Sequence, residues 1–130
     1  MAQRLRRPIA PHLSIYQPQL TWYMSAANRI AGVALGGSVY VFGITYAVAP
    51  LAGFHAESAA IAATAAALPL AVKIALKASL ATPFVFHSVN GLRHLTWDTA
   101  RELSISGVYR TGYAVLGASA LGAGYLTFFA

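Results

Sequence analysis

His87 lies inside an apolar stretch between Lys77 and Arg93. An imidazole among apolar side chains serves as a haem ligand, a proton carrier or a hydrogen-bonded structural group. Gly91 follows four residues later, on the same helical face, where the missing side chain would let a flat macrocycle approach the backbone. His94 is seven residues on, about 10.5 Å along a helix axis, so His87 and His94 cannot bind one iron. His12 and His55 fall outside the apolar runs. One histidine is therefore placed for ligation, and a six-coordinate haem here would need its second ligand from another polypeptide.

Ser25 and Arg29 form a second constellation. They are four apart and share a helix face. A hydroxyl and a guanidinium side by side can hold a carbonyl or an anion, whereas Arg29 taken alone also reads as an interfacial arginine reaching for the lipid headgroups. Soluble-enzyme motifs are absent: there is no phosphate loop, dinucleotide fingerprint or Cys/His zinc cluster. The chain has no cysteine and only three acidic residues, none within an apolar run. General acid–base chemistry has little to draw on, and no residue is assigned a catalytic role.

The elements that must position these groups follow from composition. Of 130 residues, 58% are hydrophobic and 9% charged, against about 25% charged in a soluble domain. Most of this chain must face something other than water, and a lipid bilayer is the expected surrounding. The formal charge of +6 is scattered rather than gathered into a basic face, which excludes a nucleic-acid partner. A bilayer core needs about 20 mostly apolar residues in helical form. Three runs qualify, over about residues 26–50, 74–97 and 108–129. They are continuous, without the alternation of a membrane barrel. The expected fold is an all-α membrane protein, one domain over residues 1–130, with three transmembrane helices and a short N-terminal segment. The alanine-rich stretch from Glu57 to Leu70 reads as an interfacial helix, an early turn of the second span or a plain connection. Gly32 and Gly36, and Ala120 and Gly124, carry the four-residue spacing of close helix packing.

With three spans, the N-terminus and the loop between spans two and three share one side. That side holds Arg4, Arg6, Arg7, Arg29, Arg93, Arg101 and Arg110, and the other only Lys73 and Lys77. Positive charge concentrates on the inner face of membranes, which puts the N-terminus in a mitochondrial matrix or a bacterial cytoplasm. The basic opening contains Pro8 and Pro11 and no apolar run follows directly, so it does not read as a secretory signal.

Two segments are then recognisable together. Arg7-Pro8-Ile9-Ala10-Pro11-His12-Leu13-Ser14-Ile15-Tyr16, with Ser25, Arg29 and Gly32 following, resembles the N-terminal signature of the succinate dehydrogenase cytochrome b family. The run from His87 through Asn90-Gly91-Leu92-Arg93-His94-Leu95-Thr96-Trp97-Asp98 resembles that family's second-span signature. The resemblance covers essentially the whole chain. It implies the membrane anchor of respiratory complex II, in the mitochondrial inner membrane or alternatively a bacterial inner membrane. Such an anchor is a subunit of succinate:ubiquinone oxidoreductase and not an enzyme on its own. Its implied partners are a companion membrane-anchor subunit, an iron–sulfur subunit and a flavoprotein, which together link the tricarboxylic acid cycle to respiratory electron transport. Its implied cofactor is haem b, with His87 as axial iron ligand, and its substrate is ubiquinone, beside Ser25 and Arg29, with Trp22 either lining the pocket or serving as an interfacial tryptophan. Asn28 stands where many members carry the histidine that lies near the haem propionates; Arg29, Arg93 and His94 are the cations left for that vicinity. Asp98 reads as a cap or an interchain partner. A fumarate reductase anchor is the same architecture run in reverse, and a haem-less scaffold or translocase component the same fold without redox chemistry.

Overall fold

The structure is a computed structural model that describes residues 2–7, 13–54 and 57–130. Pro8, Pro11, His12 and His55 lie outside the described residues. The chain runs through α1 (Ala2–Leu5), a 3-10 turn at Leu13–Ile15, α2 (Leu20–Val48), a second 3-10 turn at Ala49–Ala52, α3 (Ser58–Ala67), α4 (Leu70–Asp98) and α5 (Ile105–Phe128). Among the described residues there is no strand.

Proline sets several of the boundaries. α2 begins two residues past Pro18 and gives way to a tighter turn around Pro50. Leu68, directly before Pro69, is extended at φ −64° and ψ 145° and separates α3 from α4, as the ring of a following proline demands. The alanine-rich segment is thus a helix of its own and not a turn of the second span. Ser104 starts α5 by accepting the Gly107 amide at 3.1 Å, satisfying one of the donors that every helix start leaves free. Just before it, Ala100 and Glu102 adopt left-handed φ of 58°, which folds the chain back after α4. Arg110 clamps this turn, giving 2.7 Å hydrogen bonds to both Glu102 carboxylate oxygens.

α4 and α5 form the tightest pair and α2 packs across them. The close approach of α4 and α5 needs Gly122, where an added Cβ would sit 2.8 Å from Val85 Cγ1. Few apolar side chains are buried: Met24, Ala31, Ala81, Val115 and Ala123. Along α2 the residues Val33, Val39, Tyr40, Val41, Phe42 and Ile44 are exposed. That much contiguous apolar surface belongs to a lipid or protein contact, not to water.

The helix with its following turn, Leu20–Ala52, and α4 are long and apolar enough to cross a membrane. α5 has 24 residues, about 36 Å of helix, but its glycines and its hydroxyls Ser106, Thr111, Ser119 and Thr127 dilute its hydropathy. Each helix outruns the apolar stretch that announced it, beginning at Leu20, Leu70 and Ile105 rather than near residues 26, 74 and 108. Lipid limits the apolar run, whereas backbone hydrogen bonding carries the helix on into polar residues. At the opposite end Lys73 and Lys77 donate to the carbonyls of Ala66 and Ala130, at 2.6 and 2.5 Å.

Overpacking at the α4–α5 seam should show in detergent. Gly122→Leu is expected to lower stability by about 1–3 kcal/mol, read as a lower thermal midpoint, while Gly117→Ala, which meets open space, leaves it unmoved.

Candidate functional site

His87 and α2 meet closely. The ring Nδ1 lies 3.0 Å from the backbone carbonyl of Asn28. Gly32, one turn further along α2, lies against the ring: a Cβ there would be 2.8 Å from His87 Cε1. Two contacts from the neighbouring helix therefore set the ring, one polar and one steric. The carbonyl selects the tautomer with its proton on Nδ1, leaving Nε2 with a free lone pair. Nε2 has no hydrogen-bond partner among the described residues. This is the arrangement by which a second group orients a metal-ligating imidazole.

The ring borders a groove of about 620 Å³ between α2 and α4, lined among others by Gly36, Phe42, Leu80, Phe84 and Ser88. That volume is in the range of cofactor sites, as is the apolar lining. No three His, Asp or Glu residues converge among the described residues. A bare ion would find too few ligands here, but a metal already held in a macrocycle needs only an axial donor. The residues present fit haem in that sense: one oriented imidazole, an apolar cleft, and open space over Gly36, where an added Cβ meets nothing within 4 Å. Gly91, which pattern alone put forward as the flat approach, likewise faces open space.

Ser25 and Arg29 both lie on α2 and both are exposed, one turn apart on a shared face. Trp22 is half-buried one turn earlier, its ring stacked on Tyr16 at 5.8 Å and tilted against Tyr23 at 4.7 Å. The mouth of α2 is thus an aromatic cluster beside a hydroxyl and a guanidinium. The Asn28 side chain turns inward, its Oδ1 buried without a partner. His94 is exposed and stacks on Trp97 at 5.0 Å.

Arg93 occupies a different setting from these surface groups. It is 5% exposed and spends its donors inside the chain: Nε on Thr111 Oγ1 at 3.0 Å, Nη2 on the Val108 carbonyl at 2.7 Å, Nη1 on Asn90 Oδ1 at 3.3 Å and Met24 Sδ at 3.8 Å. Its guanidinium also lies 4.2 Å from the centre of the Trp97 ring, a cation–π distance. Sequence reasoning did not find this cluster. The signal was present on α4, where His87, Asn90, Arg93 and Trp97 recur every three or four residues, but Met24, Val108 and Thr111 come from other helices.

The model of the succinate dehydrogenase/fumarate reductase transmembrane subunit family matches residues 3–126. The succinate dehydrogenase cytochrome B subunit, mitochondrial, of Schizosaccharomyces pombe is 50% identical, over 95% of this chain and 69% of its own. The succinate dehydrogenase cytochrome b560 subunit, mitochondrial, of Caenorhabditis briggsae is 43% identical, over 90% of this chain and 62% of its own. Mitochondrial inner membrane protein SHH3 of Saccharomyces cerevisiae is 38% identical, over 89% and 60%. The chain thus spans some two thirds of the length of these relatives. With an oriented imidazole on a lipid-length helix and a match along nearly its whole length, this chain belongs to the succinate dehydrogenase/fumarate reductase transmembrane subunit family.

Proposed function

We propose that this chain is the membrane-anchor subunit of succinate dehydrogenase, joining the flavoprotein and iron–sulfur subunits to the membrane and completing, with a companion anchor subunit, the sites for haem b and ubiquinone. Succinate oxidation takes place on the other subunits. The observation that carries the reading is the His87 ring, held by the Asn28 carbonyl at 3.0 Å and seated on Gly32 beside an apolar groove. Relatives that are named cytochrome b subunits support it. α5 is the third span, and the seven-to-two distribution of cations supports an N-terminus on the matrix side of a mitochondrial inner membrane, or the cytoplasmic side of a bacterial one.

Each residue then has a task. His87 would hold the haem iron through Nε2, its Nδ1 proton anchored on the Asn28 carbonyl so that the ring cannot turn away. Haem b, when bound, would supply one-electron storage. Ser25 and Arg29 donate hydrogen bonds to a quinone carbonyl oxygen and stabilise negative charge as electrons arrive from the iron–sulfur subunit. Trp22 covers the pocket with an apolar face. Asn28, with Arg29 and His94, stands nearest in role to the haem carboxylates, since Arg93 has committed its donors elsewhere. The family description covers fumarate reductase as well, so an anchor working toward quinol oxidation is the second reading; the potential of the bound quinone separates the two.

His87→Ala should abolish or strongly weaken the b-type absorbance of the assembled complex; an unchanged spectrum removes the ligand assignment. Gly32→Ala, which drives a methyl into the ring, should perturb the same spectrum, and Gly37→Ala, in open space, should not. Ser25→Ala and Arg29→Ala should each depress quinone reduction about tenfold while leaving succinate oxidation by artificial dyes near normal. Equal losses in the two assays would trace the defect to assembly.

A further inference from the structure

The Arg93 charge is buried and meets only neutral groups: Thr111, Asn90, the Val108 carbonyl, Met24 and the face of Trp97. Among the described residues the ion pair is Arg110 with Glu102, at an exposed turn, and no carboxylate is paired with Arg93. A guanidinium keeps its proton in proteins, so this charge is permanent. Arg93 follows His87 by six residues on α4, about 9 Å along the axis. Asn90, between them, is completely buried. Arg29, His94 and Asp98, the other charged or titratable side chains at this end of α2 and α4, are exposed, where water and salt screen them. Of these groups, Arg93 is the one whose field reaches His87 through protein rather than through solvent.

We propose that Arg93 is a positioning residue for charge: a fixed, unneutralised cation that raises the electron affinity of a redox centre ligated by His87. The proposal rests on the reading of His87 as an axial ligand. One-electron reduction takes ferric to ferrous iron, the electron coming from the iron–sulfur subunit, and lowers the positive charge at the centre by one. A nearby cation disfavours the oxidised form and so favours the reduced one. No proton leaves Arg93 in the process. At about 10 Å, and with the effective dielectric of about 20 that suits protein interiors, the bias is on the order of tenfold in the reduced-to-oxidised ratio.

The test is a redox titration of the b-type absorbance in the assembled complex, purified in mild detergent. Four variants separate charge from structure: Arg93→Gln, Arg93→Lys, Thr111→Asp and Thr111→Asn. Thr111→Asp keeps the guanidinium and sets a carboxylate where Nε now donates, neutralising the charge without removing the side chain. Arg93→Gln and Thr111→Asp should each move the midpoint downward by the equivalent of about tenfold, and the offset should be the same from about pH 6 to pH 8, because the guanidinium holds its proton throughout. Arg93→Lys and Thr111→Asn should stay near the parent value. Should Arg93→Gln fail to assemble, Thr111→Asp gives the same answer. An unmoved midpoint in Thr111→Asp, or equal shifts in Arg93→Lys and Arg93→Gln, overturns the electrostatic role while leaving the ligand reading intact. A parent complex with no b-type absorbance overturns both.

Discussion

A guanidinium without a carboxylate ties three helices together. Burying a charge is expensive unless its hydrogen bonds are met, and Arg93 meets them with neutral groups from α2, α4 and α5. The donor is on α4, while Thr111 and the Val108 carbonyl are on α5 and Met24 is on α2. The charge is satisfied only when all three helices are in place, so the arrangement behaves as a register pin. Gly112 allows it, because a Cβ there would sit 2.9 Å from Leu20 and 3.5 Å from Arg93 Nη2. With the C-terminal half of α4 fixed in rotation, His87, less than two turns upstream, must face α2.

The two halves of the bundle therefore differ in kind. One end is polar and interlocked, with Arg93, Asn90 Oδ1 and Thr111 bonded inside the chain, while Asn90 Nδ2 and Trp97 Nε1 are buried there without a partner. The rest is a thin apolar assembly whose outer faces on α2 remain uncovered. Three helices with so little buried apolar area do not make a core of the usual sort. Lipid and neighbouring subunits complete it. A membrane anchor suits such a design, because the surface that would be a liability in water is the surface through which it is held.

Much of this was legible in the residues. The continuous apolar runs announced the long helices, and the four-residue spacing of Ser25 and Arg29 put both on one exposed face of α2. His87 stood out because no other histidine shares its apolar surroundings. What the linear pattern could not carry was contact between helices. Gly91 drew notice as a neighbour of His87 on its own helix, yet the glycine against the ring is Gly32, on another. Arg93 looked like an arginine at a helix end free to reach for carboxylates, because Thr111 and Val108 are recruited from across the bundle. The helices also begin before the apolar runs, since Leu20–Ser25 and Ile105–Gly107 continue the helical ladder ahead of them.

The hydrogen bond from His87 to Asn28 joins a side chain to a main-chain carbonyl, and that choice of acceptor matters for how the protein can change over time. A carbonyl is present whatever residue occupies position 28, so the imidazole keeps its orientation through any replacement of the Asn28 side chain that preserves the helix. What the side chain at that position does is thereby separated from what holds the ring. The pose of the ring is thus tied to the main chain and not to the identity of one side chain.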